Sequence, residues 1–265
     1  MLSVIHNTLL VNPIFNIMAL TFKLTGSLGF SIIILTIIVK VISTPFMLPS
    51  LRSVKKQQEL QPQLEKIKTK YKYDKKKQAE LQMQLMKEHG VNPASGCYSM
   101  IITILIFTAL YSVINQITKV TDLNLINQKL YFDWFKFGAI EQLSTRFFYL
   151  DLAKPDPYFI LAILAGLFQF IQGKMSMPYT QQGIEASKKT PDKKDDIAYN
   201  MQQQTMFIMP AMMALLGISM PSGVIIYIIT TSIISIIQSY FINGWGGMRP
   251  LINKLGKIIN VRKNN

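Results

Sequence analysis

Residues 28–48, LGFSIIILTIIVKVISTPFML, decide the reading of this chain: 21 residues carry a single charge, Lys40. At ~1.5 Å per residue, a helix of this length matches the thickness of bilayer hydrocarbon. A lysine near the middle of such a span costs roughly 2.5–3.5 kcal/mol on insertion scales. Lys40 lies eight residues from the polar end at Leu48, which is about 12 Å of helix. Snorkelling covers only part of that distance. No Asp or Glu falls within the hydrophobic part of any span below, so no carboxylate neutralises the charge. The ammonium needs water or polar side chains inside the membrane, and the functional reading follows from that need.

Working outward, further apolar runs reach spanning length. The chain has 265 residues, 49% of them hydrophobic and only 16% charged, which is the composition of a polytopic membrane protein. Residues 1–25 are mildly amphipathic, contain Pro13 and are too polar to span. An interfacial helix on the extra-cytoplasmic surface is expected there. Their start has no basic region and no small-residue cleavage site near an apolar core, so neither a cleaved signal peptide nor a transit sequence is expected. The single cysteine, Cys97, excludes an intrachain disulfide framework.

The first span (26–48) is expected to end near Pro45 to Pro49. Residues 50–93 then carry 11 Lys/Arg and 5 acids. Leu60, Leu64, Ile67 and Tyr71 form one helical stripe, and Leu81, Leu85 and Met86 a second, with a turn at Tyr73-Asp74 between them. The segment reads as a basic helical hairpin in water. A solvated charged linker is the alternative, and the regular stripes argue against it.

The second span covers 96–118 and the third, short, 156–173. Between them, 119–155 is a loop rich in aromatics around Tyr131, Phe132, Trp134, Phe135 and Phe137, suited to a membrane interface. A polar loop follows at 174–199, then a Met-rich fourth span at 201–220 and a fifth at 222–243. The tail, 248–265, is basic and has no acid. Of the 28 Lys/Arg, 21 lie in the hairpin, the 174–199 loop and the tail. Positive-inside therefore places the N-terminus outside and the C-terminus in the cytoplasm, with five spans. The fold class is an all-α polytopic membrane protein: five transmembrane helices, a cytoplasmic helical hairpin and the N-terminal interfacial helix.

Polar residues of the spans recur at helical spacing. Thr36, Lys40, Ser43 and Thr44 share a face of the first span; Thr108, Ser112 and Asn115 a face of the second. Gln169 and Gln172 do so in the third, and Tyr227, Thr231, Ser235 and Gln238 in the fifth. If these faces converge, they line a wet, positively charged groove open toward the cytoplasm. The hydroxyls and amides also suit plain helix-to-helix adhesion, and both readings stand for them. In the fourth span Met206, Met209, Met212, Met213 and Met220 suit either an adaptable apolar surface or a packing face.

Several function classes lack support. There is no GxxxxGK phosphate loop, no GxGxxG and no HExxH. The two histidines, His6 and His89, have no metal-ligand company in the sequence. Neither a cofactor nor a metal nor a catalytic residue is expected, and the chain does not read as an enzyme. Coupled transporters rely on intramembrane carboxylates, which are missing here.

Several motifs now align in order. The run QPQLEKIKTKYKYDKKKQAELQMQLMKEHGVNPASGC (61–97), IFTALY (106–111), DPYFILAILAG (156–166) and MPSGVIIY (220–227) resemble the YidC/Oxa/Alb family of membrane-protein insertases. The similarity covers nearly the whole chain and matches the short form, without a large extra-cytoplasmic domain. Some positions depart from the family pattern. Lys40 stands where the family usually has arginine, which loses the planar five-donor fork and keeps the charge. Ser99 and Leu105 stand at second-span proline positions, Thr103 at a glutamine and Ile228 at an aromatic.

The resemblance implies a bacterial cell-membrane insertase and chaperone. A client's polar or acidic segment would enter the groove from the cytoplasm, attracted by Lys40. Its apolar helix would pass into lipid along a hydrophobic slide, with Phe107, Ile163, Phe168, Met209 and Tyr227 as candidates. Implied partners are nascent membrane proteins, the ribosome, the Sec translocon and anionic lipids, without recognition of any nucleic-acid sequence. A channel or transporter for anionic solutes and a non-inserting assembly factor are the rival classes.

Overall fold

The computed structural model describes residues 6–91, 95–118, 127–137, 144–176, 197–249 and 251–253. Most of the 174–199 loop and the tail from 254 onward lie outside the described residues, as do the side chains of 201–206, Met206 among them.

The described chain is mostly helical. A π-helical turn at Asn7–Val11 leads into α1 (Asn12–Thr25). Then follow α2 (Leu28–Glu59), α3 (Gln61–Lys70), α4 (Lys75–Glu88) and α5 (Ser95–Thr118). A small antiparallel ribbon, β1 (Arg146–Phe147) and β2 (Leu150–Asp151), precedes α6 (Ile160–Met175), α7 (Ile197–Ser219) and α8 (Ser222–Asn243). Among the described residues, Asn7–Thr25, Leu28–Ser53, Met100–Ile117 and Ser222–Ile242 are long and apolar enough to cross a membrane. Ile160–Met175 and Phe207–Ser219 are apolar but shorter.

Two compact units divide the chain. The first comprises Met1–Phe46, Ser99–Gln169 and Pro210–Ile234; the second comprises Met47–Tyr98, Phe170–Met209 and Ser235–Asn265.

In the first unit one face of the N-terminal helix packs into the core. Phe15, Met18, Ala19 and Phe22 of α1 are buried in one core with Leu28, Ile32 and Leu35 of α2 and Leu110, Val113 and Ile114 of α5. His6 Nε2 lies 3.4 Å from Leu105 O and 3.2 Å from Thr108 Oγ1, midway along the second span. The polar side chain of Asn16 is satisfied internally. Asn16 Nδ2 donates to Asn12 O (2.9 Å) and Lys129 O (3.1 Å), and its Oδ1 accepts from Tyr131 N (2.7 Å). Pro13 follows directly on the π-helical turn, in which the Asn12 amide bonds Asn7 O, and the helical run continues through it.

A difference from the expected span concerns Pro45 and Pro49. Here α2 does not end but continues to Glu59. Just ahead of Pro45, Ser43 Oγ donates to Val39 O at 2.6 Å and Thr44 Oγ1 to Lys40 O at 2.7 Å, keeping neighbouring carbonyls bonded.

The ribbon closes through Phe148, whose φ is 54°. That left-handed conformation costs an L-residue roughly 1–2 kcal/mol. Asp151 holds the end of β2: its Oδ1 accepts from Ala153 N at 3.1 Å and its Oδ2 lies 3.4 Å from Lys154 Nζ. Burial alone would raise its pKa, but the Thr145 hydroxyl, the Ala153 N–H and the Lys154 ammonium outweigh it, and the carboxyl lies below the usual value.

Asp156 organises the start of α6. It is buried; Oδ1 accepts from Tyr158 N at 3.0 Å and Oδ2 from Leu161 N at 2.8 Å. This occupies amide donors that the first helical turn would otherwise leave orphaned. The start of α8 docks on the segment after β2. Both the amide and the hydroxyl of Ser222 donate to Lys154 O at 2.8 Å, and Gly223 N donates to Leu152 O at 3.1 Å. A Cβ on Gly223 would lie 3.2 Å from Leu152 O, Ile114 and Ile32, so glycine permits this approach.

In the second unit, α3 and α4 form a hairpin. Leu60, Leu64 and Val91 are buried together, with Leu85 and Met86 packed against them. Asp74 caps α4 by accepting from Lys77 N at 3.0 Å. Beyond α8, Gly246 (φ 45°) lies so near Met175 O that a Cβ would come within 2.1 Å of it.

Candidate functional site

Lys40 projects from a helix whose own backbone bonds are supplemented by its hydroxyl neighbours. Thr36 Oγ1 donates to Ile32 O at 2.6 Å, and Ser43 Oγ approaches both Val39 O and Lys40 O. These hydroxyls are turned back onto α2, so their hydrogens are engaged by carbonyls. Lys40 itself is half-buried. Among the described residues no carboxylate pairs with it; the ion pairs found, Lys136–Asp133 and Lys154–Asp151, lie outside the spans.

On α5, Thr108 is exposed and its hydroxyl donates to Leu105 O at 3.0 Å, beside His6. Ser112 accepts from Gln116 Nε2 at 2.8 Å, and Gln116 in turn accepts from Lys129. Asn115 is half-buried, and its Oδ1 is buried with no hydrogen-bond partner among the described residues. Thr231 Oγ1 is also buried, with no hydrogen-bond partner among the described residues.

Gln169 of α6 accepts from Ser232 Oγ of α8 at 3.1 Å. Ser232 was not on the polar stripe read from the sequence; it lies one position beside Thr231. Interhelical bonds of this sort are the adhesive alternative raised for the polar residues. Gln172, Ser235 and Gln238 belong to the second unit, where Ser235 is buried and the two glutamines are half-buried.

The slide candidates fall in different environments. The Phe107 and Tyr227 rings meet at 6.0 Å between centroids, and Tyr227 is part of the core of the first unit. Ile163 is 66% exposed and Phe168 half-buried, while Met209, in the second unit, is 45% exposed. Outward-facing apolar side chains on α6 are what a surface bathed in lipid requires.

The crossing of α6 and α7 in the first unit is tight. A Cβ on Gly166 would meet Ala214 Cβ at 3.0 Å and Pro210 O at 3.2 Å; one on Gly217 would meet Ala162 Cβ at 3.1 Å. Ala162 and Gly166 stand four apart on α6 and meet Ala214 and Gly217 on α7, small residues of the kind that bring membrane helices close.

These features define a polytopic helical membrane protein with a charged residue held inside a span. Residues 20–247 match the 60Kd inner membrane protein family. A protein named membrane protein insertase YidC in Fusobacterium nucleatum is 34% identical over 223 residues, which cover 84% of this chain and 89% of that protein. The protein of the same name in Geobacter sulfurreducens is 30% identical over 237 residues, 89% of this chain but 37% of that protein. One in Francisella tularensis subsp. novicida is 32% identical over 86% of this chain and 35% of its own length. The crystal structure of an active YidC insertase with its first transmembrane domain resolved superposes with a TM-score of 0.53 at 25% identity, covering 83% of this chain and 43% of that one. The chain belongs to the 60Kd inner membrane protein family, that of the YidC membrane protein insertases. Its relatives there are named for membrane-protein insertion.

Proposed function

We propose that this chain inserts nascent membrane proteins into the bacterial cell membrane through a hydrophilic groove centred on Lys40. The observation that carries the reading is the half-buried lysine of α2, which has no carboxylate partner among the described residues and whose neighbouring hydroxyls bond their own helix. An acidic or polar client segment supplies the missing counter-charge during transit. Thr44, Ser112, Asn115, Gln169 and Thr231, all of the first unit, line the groove in this reading. The client's apolar helix then leaves past Ile163 and Phe168 into lipid. The chain makes and breaks no bond and uses no nucleotide; it lowers a desolvation barrier.

The N-terminus lies outside and the C-terminus in the cytoplasm in this reading, from the asymmetry of Lys and Arg. The basic hairpin and tail meet the ribosome or anionic lipid, and the Sec translocon is a further partner.

Reconstitution in liposomes with a single-span client bearing an acidic translocated tail tests the proposal. Unit charges ~4 Å apart at an effective dielectric of ~20 attract by about 4 kcal/mol. Lys40→Glu therefore lowers insertion by ~tenfold or more, and Lys40→Arg preserves it. Undiminished insertion by Lys40→Glu, in protein that is folded by its thermal unfolding, sinks the groove.

A further inference from the structure

We propose that the aromatic corner formed by Phe148 and Tyr149 at the ribbon and Tyr158 and Phe159 before α6 is an anchor seated in the headgroup–acyl boundary of the bilayer. Phe148 stands at the tip with a left-handed backbone (φ 54°) and 82% of its surface exposed. Glycine adopts that conformation without steric cost, whereas phenylalanine does not. Its ring touches Phe147 and Phe30, with centroids at 4.7 and 6.5 Å, yet the protein leaves most of it uncovered. Most of the ring is thus left to the surrounding medium.

A second corner repeats the device. Phe159 also has a positive φ, 58°, and an exposed ring. Tyr158 before it is 67% exposed and meets Tyr149 at 5.7 Å between centroids, which joins the two corners into one patch.

The medium is identified by continuity and by charge. Phe30 packs edge-on against Phe147 at 5.2 Å and is the first residue of an exposed apolar stripe, Phe30, Ile34, Ile37 and Val41, along the first span. That stripe faces lipid in a membrane-spanning chain. Phe30 lies two residues inside the start of α2, about 3 Å along the helix, so the patch stands at the level where hydrocarbon gives way to headgroups. Exposed Arg146 flanks it with positive charge suited to lipid phosphate, while Lys154, also exposed, is paired with Asp151. Two tyrosines, amphipathic rings with a polar tip, fit the same level.

The test uses the full chain in vesicles of phosphatidylethanolamine and phosphatidylglycerol, with Trp134 and Trp245 replaced by phenylalanine and Phe148→Trp as the sole probe. The anchor predicts blue-shifted emission. It also predicts that lipid brominated near the headgroup quenches the probe about twofold more than lipid brominated near the acyl terminus, with little quenching by aqueous iodide. Tyr158→Trp, at a position of ordinary backbone conformation, reads the same patch if the Phe148 variant does not fold. Iodide quenching as strong as for free tryptophan overturns the proposal. So does protection from both iodide and brominated lipid that grows with protein-to-lipid ratio, which would assign the patch to a second copy of the chain.

Discussion

The ring of Phe147 lies against Gly29 so closely that a methyl group on Gly29 would come within 2.2 Å of Phe147 Cγ. The first span and the ribbon, separated by more than a hundred residues, are thereby fitted to one another. Gly29→Ala forces the ring out and is expected to destabilise the protein by roughly 1–3 kcal/mol. Phe147→Ala removes the obstruction, so the double variant should lose less than the sum of the single ones. Thermal unfolding in detergent of the four proteins measures this cycle; simple additivity would show that the two residues do not compete for space.

Asn16 ties the N-terminal helix to the 127–137 segment through Lys129 O and Tyr131 N. Asn16→Ala removes the side-chain partner of the Lys129 carbonyl and of the Tyr131 amide, at about 0.5–1.5 kcal/mol per bond. Asn16→Asp keeps the acceptor for Tyr131 N and loses the donor to Lys129 O. Hydrogen exchange at the Tyr131 amide should accelerate strongly in the alanine variant and only slightly in the aspartate one. Equal rates in all three proteins would mean that the helix is held by its apolar face alone.

Gly166 and Gly217 set the α6–α7 crossing distance. Gly166→Val pushes against Ala214 Cβ and the Pro210 carbonyl, and the backbone oxygen cannot move aside as a side chain can. A loss of roughly 1–3 kcal/mol is expected, larger than for Gly173→Val, where open space surrounds the position. Unfolding of both variants in the same detergent makes the comparison, and a larger loss at Gly173 would contradict it.

Asp151 sets a pH dependence for the ribbon. Its carboxyl is held below the usual value in the folded protein. The resulting stability is present above the unfolded-state value of about 3.9 and is lost as pH falls through the lower folded-state value. Exchange of the Ala153 amide should therefore rise on acidification below the ordinary carboxylate range. In Asp151→Asn that step should vanish.

Much of the candidate site could be read from hydropathy and helical spacing because both are properties of one segment at a time. Lys40 with no acid in any span is legible in the chain itself, as is the segregation of basic residues. The partners of the polar residues were not legible. Gln169 meets Ser232, one position away from the stripe that spacing picked out, because helix rotation is set by packing between α6 and α8. Tyr227, a slide candidate from the family resemblance, falls within a core and against Phe107, a packing that helical spacing does not reveal. Segment 1–25 reads as mildly amphipathic from its composition, which does not reveal that Asn16 inside it makes three hydrogen bonds within the protein.

What the sequence determined by itself is that the chain is a helical membrane protein with a charge inside its first span and a basic hairpin between its first two spans. Those outcomes depend on the cost of placing polar groups in hydrocarbon, which each segment meets alone. Only the tertiary structure decided which polar groups face each other, where glycine lets α6 and α7 approach, and that Phe148 is held out in a left-handed turn. Such outcomes depend on atoms brought together from distant parts of the chain, and no local pattern encodes their distances.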